Sequence, residues 1–290
     1  MAKGDLLGNK DKGEVLRRKK LYEEVGISLL KPNEIRQVSL IGKTISSIDT
    51  GALVSSRVFN GNIISLDELF ANVRETVEPF FLDENDALCN VLESIIVQKD
   101  ALRSNFSTSI ALKFVNDDIY AATGCITIPK KITSFSTYLL GHEYMHALKD
   151  SVLDEYRLSL RYGETIPIFY EIFTSFREKN FDIVKFRLEY IKGYNTLLQN
   201  MRTYSRNHGK DKDLYKVSLS ELGVYFLSFY YATKLYELYL AYPDSVIDSI
   251  RLVLDGQMTT YDMLKEYGLF DTEKVDTKTL EDTYSLLKNR

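Results

Sequence analysis

The sequence is sparing with the residues that would define several other kinds of protein. Cysteine occurs twice, as Cys89 and Cys125, and neither stands in a CxxC pair. Two such residues make no disulfide framework and are read as reduced thiols. No apolar stretch approaches the roughly 20 residues that a membrane-spanning helix needs, so no membrane partner is expected. The first twenty residues, MAKGDLLGNKDKGEVLRRKK, are polar and lack the apolar centre of a signal peptide, so a cytoplasmic protein is expected. Basic residues form only short patches, at 17–20 and 202–212, on a chain of net charge −4. That argues against nucleic acid as a partner. Histidine is the scarcest chemical resource, with three in the chain, so where they fall is informative.

With 44% hydrophobic and 27% charged residues, the chain has the balance of a globular protein. Its 290 residues suffice for a substantial core. Residues 1–12 are expected to be a disordered tail and 13–83 a short N-terminal region with a charged helix at about 13–25. A catalytic domain is expected over 84–290. The Ile-, Val-, Ser- and Thr-rich stretch 35–65 reads as irregular or short-strand structure. Ser65 with Glu68 three residues on is a capping-box pattern, predicting a helix at about 65–76. Leu88, Val91, Leu92, Ile95 and Ile96 have helical spacing and predict a helix over 84–103. Strands are expected at 108–115 and 124–129, and almost continuous helix from 136 onward, including 152–162, 167–178, 181–204 and 217–241. The expected fold is therefore mostly α, of the α+β kind, with a small antiparallel sheet followed by a helical bundle.

The decisive segment is Gly141-His142-Glu143-Tyr144-Met145-His146, which contains HExxH inside an apolar helical frame. Positions i and i+4 share one helix face, so two imidazoles can reach a single ion. A carboxylate directly after the first of them can take a proton from metal-activated water without ligating the metal. The motif therefore predicts Zn2+ bound by His142 and His146, with Glu143 as general base, in a zincin-like fold. Leu139, Leu140, Ala147 and Leu148 mark the helix as buried, which argues against two incidental surface histidines.

A catalytic zinc needs a third protein ligand. His208, in RNHGKDKD, reads as part of an exposed loop, and no third histidine follows at metzincin spacing. Carboxylates remain: Glu155, Glu164 in the turn RYGETIP, and Glu171. Of these Glu171 is the best candidate, because a carboxylate in the apolar helix IPIFYEIFTSF is costly unless paired or metal-bound. Asp150, four residues past His146, and Ser175, one turn past Glu171, are candidate supports for the ligands.

HEYMHAL, followed 25 residues after its second histidine by Glu171 in EIFTSFRE, resembles the oligoendopeptidase F and thimet oligopeptidase family of zinc metallopeptidases. The likeness covers roughly residues 85–288. It includes Gly124–Pro129, similar to the strand lining that family's substrate cleft, and Phe229–Thr233, similar to its Tyr-rich helix. The resemblance implies Glu171 as third zinc ligand and peptides or oligopeptides as substrate. The chain departs from the family in three ways. Met145 stands where the family has glycine, the N-terminal part is short, and residues 217–241 hold no histidine for the oxyanion. One of Tyr225, Tyr230 and Tyr231 could donate to it, Tyr225 or Tyr230 being the residues taken into the mechanism; the alternative for each is a packed aromatic stripe. The substrate backbone is expected to add to the 124–129 strand as an edge. The alternative function is a zinc-binding, non-catalytic interaction or regulatory protein.

Overall fold

The computed structural model describes residues 30–50, 62–80, 96–100, 107–115, 118–129, 132–150, 162–208, 212–269, 275 and 277–284. The expected tail at 1–12, the helix at 13–25 and most of those at 84–103 and 152–162 lie outside these residues. What is described is mostly helical.

Helix α1 spans Pro32–Ser47, in a stretch whose composition suggests irregular structure. Proline suits the first turn of a helix, where its missing N–H costs nothing. Glu34 accepts the Lys31 N–H at 2.6 Å, supplying one of the bonds a helix start lacks. Val38, Ile41 and Ile45 are buried at helical spacing. That spacing outweighs the β-branched content, because burying one apolar face is worth more than the small differences in propensity. Helix α2, Leu66–Val77, begins at Ser65, whose hydroxyl accepts the Glu68 N–H at 3.1 Å. A 3₁₀ turn, Glu78–Phe80, follows and buries Phe80.

Three strands come next: β1 Ile96–Asp100, β2 Ser107–Val115 and β3 Asp118–Pro129. Their order is β1-β3-β2. Strand β2 runs antiparallel to β3, whereas β1 runs parallel to it, with Ile96 opposite Cys125. Two sequence expectations are corrected here. Residues 96–100 are strand rather than the end of a helix, because Ile96 and Val97 pair with β3. The sheet is mixed rather than antiparallel. A further consequence concerns the substrate. Strand β3 is central, and its residues 125–127 pair on both sides, with β1 and β2. Residues 125–127, paired on both sides, therefore do not offer the free edge that added-strand binding requires.

Helix α3, Ser136–Asp150, packs on β2 and β3, and also on α2 and on α4, Thr165–Glu178. Ile126 and Ile128 of β3, two residues apart and so on one face of the strand, are both fully buried. Helices α5 (Asp182–His208) and α6 (Lys212–Ala241) pack on α4 and on each other. Helix α7 (Pro243–Leu254), α8 (Thr260–Glu266) and α9 (Thr277–Tyr284) close the chain. One buried cluster runs from Leu30 and Val38 through the strands to Tyr284. The N-terminal residues 30–48 thus share their core with α5 and α6.

The contact between α3 and α4 depends on one glycine. A Cβ added at Gly141 would lie 2.0 Å from the Tyr170 hydroxyl and 2.3 Å from its ring. Tyr170 is fully buried, and its hydroxyl is bonded to Thr76 at 2.7 Å. The residue before His142 must therefore be glycine for α4 to approach α3 this closely. At the far end Tyr138 donates to Glu178 at 2.6 Å and accepts from Asn180 at 3.0 Å, tying the start of α3 to the end of α4.

Candidate metal centre

Helix α3 presents His142 and His146 one turn apart, as the HExxH spacing requires, with ring centroids 4.9 Å apart. Both Nε2 atoms face one carboxylate, that of Glu164. The distances are 3.3 Å from His142 Nε2 to Glu164 Oε2 and 3.4 Å from His146 Nε2 to Glu164 Oε1. One ligating atom from each of the three residues lies within 4.8 Å of the others. Glu164 occupies the N-cap position of α4 but does not cap it with its side chain. Its Oε2 is buried and makes no hydrogen bond among the described residues. A buried carboxylate oxygen left so, opposite the Nε2 of His142, is costly unless something else completes its coordination. Two neutral imidazoles and a carboxylate are also the donor set that suits zinc. The residues fit the ion.

Glu171 sits elsewhere. Its Oε1 is 2.9 Å from His142 Nδ1, the other nitrogen of the ring. It is fully buried on α4 and bound by Arg187 of α5 through two bonds, Nε to Oε2 at 2.9 Å and Nη2 to Oε1 at 2.5 Å. Glu171 is expected from the sequence to be the third ligand; in the structure Glu164 is the glutamate in that place. The physical reason is the competing cation. An ionised carboxylate buried beside Arg187 is already paired, so the cost that marks Glu171 as a ligand is met by a guanidinium.

The electrostatics follow this arrangement. Burial works against ionisation of Glu171, but the Arg187 and then the His142 charges outweigh it and lower its pKa. Burial likewise opposes ionisation of Glu164, and the two histidines hold it well below the usual carboxylate range. Burial depresses the His142 value, and the Glu171 charge, with a carboxylate facing each ring nitrogen, overcomes it, raising it to about 9. Arg187 is held above its ordinary value by Glu171 against the opposing effect of burial.

The other expected residues divide. Glu143 follows His142 on α3 and is half-buried. Tyr225 lies close enough to the centre that the Glu164 charge, ahead of burial, raises its pKa. Its ring is 5.1 Å from Tyr194. Tyr230 is buried against Tyr231, ring to ring at 5.5 Å, and Tyr231 packs on Tyr162 at 5.7 Å. Tyr230 thus belongs to an aromatic cluster with Tyr231 and Tyr162, the last in the turn that carries Glu164. Ser175 is buried and its hydroxyl makes no hydrogen bond among the described residues, so it does not orient Glu171. His208 is the last residue of α5 rather than part of a loop. The side chain of Asp150 lies outside the described residues.

Arg187 was not anticipated. Its signal in the sequence is periodicity: Ile183, Val184, Leu188 and Ile191 form the buried stripe of α5, and Arg187 falls within it. A charged residue in such a stripe calls for a buried partner of opposite sign.

No family model, curated protein or solved structure matches this chain.

Proposed function

We propose that the chain is a zinc-dependent metallopeptidase of zincin-like fold, with His142, His146 and Glu164 as metal ligands and Glu143 as general base. The observation that carries this reading is the convergence of both Nε2 atoms of HExxH on one carboxylate, that of Glu164, whose Oε2 is buried without a hydrogen bond among the described residues. Zinc in that site would polarise a peptide carbonyl and lower the pKa of the attacking water. Glu143 accepts the proton of that water and returns it to the leaving amine, so the carboxylate ends as it began. Tyr225 is the candidate donor to the developing oxyanion, since its phenol stays protonated beside Glu164. Glu171 accepts from His142 Nδ1 and leaves Nε2 as the ligating atom. Peptides or oligopeptides are the proposed substrates and the cytoplasm the proposed location. Among the described residues no helix is long and apolar enough to cross a membrane.

Zinc content and turnover of a mixed peptide library test the reading together. About one zinc per chain is expected, lost in His146→Ala. Glu143→Gln should keep the zinc and lose turnover by roughly 10²–10⁴-fold. Full zinc-dependent activity in Glu143→Gln would remove the base assignment. Zinc without turnover, indifferent to Glu143, would leave the non-catalytic zinc-binding protein as the answer.

A further inference from the structure

We propose that Arg187 is a positioning residue that acts through Glu171 to fix which nitrogen of His142 faces Glu164 and His146. The inference deepens the metal reading and rests on it for its functional consequence, though not for its geometry.

Three helices meet at this point: α3 brings His142, α4 brings Glu171 and α5 brings Arg187. The guanidinium grips the carboxylate with two bonds, Nε to Oε2 at 2.9 Å and Nη2 to Oε1 at 2.5 Å. Two bonds from a planar fork fix the plane of the carboxylate as well as its position. Oε1 is thereby held 2.9 Å from His142 Nδ1. An ionised carboxylate only accepts, so Nδ1 must be the protonated nitrogen. The lone pair of the neutral ring is then on Nε2, which faces Glu164 at 3.3 Å. Arg187 Nη2 also lies 3.3 Å from Nδ1. A protonated Nδ1 cannot accept from it, so the guanidinium reaches the ring through Glu171.

The charge balance points the same way. Glu171 and Glu164 stand on opposite sides of one imidazole, and Arg187 neutralises the one farther from the Nε2 atoms. Glu171 is fully buried. Without a cation it would have either to take up a proton and lose its hold on Nδ1–H or to move. Lysine could supply the charge but would bind at a single point and leave the carboxylate plane free.

The test uses the full chain with ¹⁵N-labelled histidine, in which three imidazoles give a simple spectrum. In metal-free protein at about pH 10.5, His142 should be the Nδ1–H tautomer in the wild type. In Arg187→Lys that preference should weaken, and zinc Kd should rise by roughly 10–100-fold. Should Arg187→Lys fail to fold, the double variant Glu171→Gln with Arg187→Met, which removes both charges together, answers the same question with the same two readouts. A wild-type tautomer and wild-type zinc Kd in a folded variant would overturn the proposal. If the wild type binds no zinc, the metal reading fails, and the tautomer alone decides the role of Arg187.

Discussion

On the Nδ1 side of the His142 ring stand Glu171 and Arg187; on the Nε2 side stand Glu164 and His146. Both sides offer a glutamate to the same imidazole. On the first, each carboxylate oxygen is bonded and the guanidinium balances the charge. On the second, the contacts are 3.3 and 3.4 Å and Glu164 Oε2 is buried without a hydrogen bond among the described residues. A satisfied pair holds structure, and an unsatisfied one is set up to receive a ligand. Two glutamates seven residues apart on one stretch of chain thus have different work because one of them meets an arginine.

The largest effects should come from exchanging the two carboxylates for amides, one at a time. Glu164→Gln removes a proposed ligand. Zinc binding should fall by more than the roughly 10–100-fold that an outer partner costs, while metal-free protein loses less stability than in the Glu171 variant. Glu171→Gln leaves Arg187 buried without its counter-charge. Stability should drop by about 3–5 kcal/mol in a denaturant titration, with zinc affinity reduced but measurable. The reverse pattern, with metal lost in Glu171→Gln and kept in Glu164→Gln, would return the third-ligand role to Glu171.

This pair also shows what the sequence could and could not convey. HExxH set His142 and His146 on one face of α3 by helical period alone, and that is a local property. The expense of a carboxylate in an apolar helix was legible as well, and it singled out Glu171 correctly as a buried acid. What met that expense was Arg187, sixteen residues later on another helix. Such pairings are set by tertiary packing, which spacing within one segment does not encode. Glu164 was disguised by its turn, where a glutamate ordinarily faces solvent. The same limit explains residues 96–100, whose strand character comes from pairing with β3, and residues 125–127, which pair on both sides where the sequence suggests an edge.

The boundary between the two sides is kept by the close contact of α3 with α4, so Gly141→Ala should disturb both. Its Cβ would meet the Tyr170 hydroxyl at 2.0 Å. Forcing an extra carbon into a packed core costs typically about 1–3 kcal/mol, and zinc affinity should fall with stability as α4 is pushed away. Removing the hydroxyl in Tyr170→Phe should not rescue the variant, because the ring carbon still lies 2.3 Å from the added Cβ. Wild-type stability in Gly141→Ala would show that the helices can separate without loss.

Titration separates the sides more gently. The folded value of His142, about 9, lies above the ordinary histidine value of 6.5. A raised value stabilises the fold fully below the unfolded pKa, and the contribution is lost as pH rises through the folded one. Chelator-treated protein should therefore melt at progressively lower temperature from about pH 6.5 to 9. Zinc binds the neutral ring, so its affinity should rise over the same window. A melting temperature flat across it would mean that Glu171 does not hold the proton on His142.

The smallest effect concerns the two tyrosines, and it distinguishes chemistry from packing on the Nε2 side. Tyr225 is close enough to feel the Glu164 charge, whereas Tyr230 is buried against Tyr231. If Tyr225 donates to the oxyanion, the bond matters most in the transition state. Tyr225→Phe should then lower kcat by about 10-fold or more with little change in KM. Tyr230→Phe should leave kcat near the wild-type value and change stability by about 1 kcal/mol at most. Equal losses of kcat in the two variants would mean that the aromatic layer acts only by packing, and the oxyanion donor would have to be sought on another element.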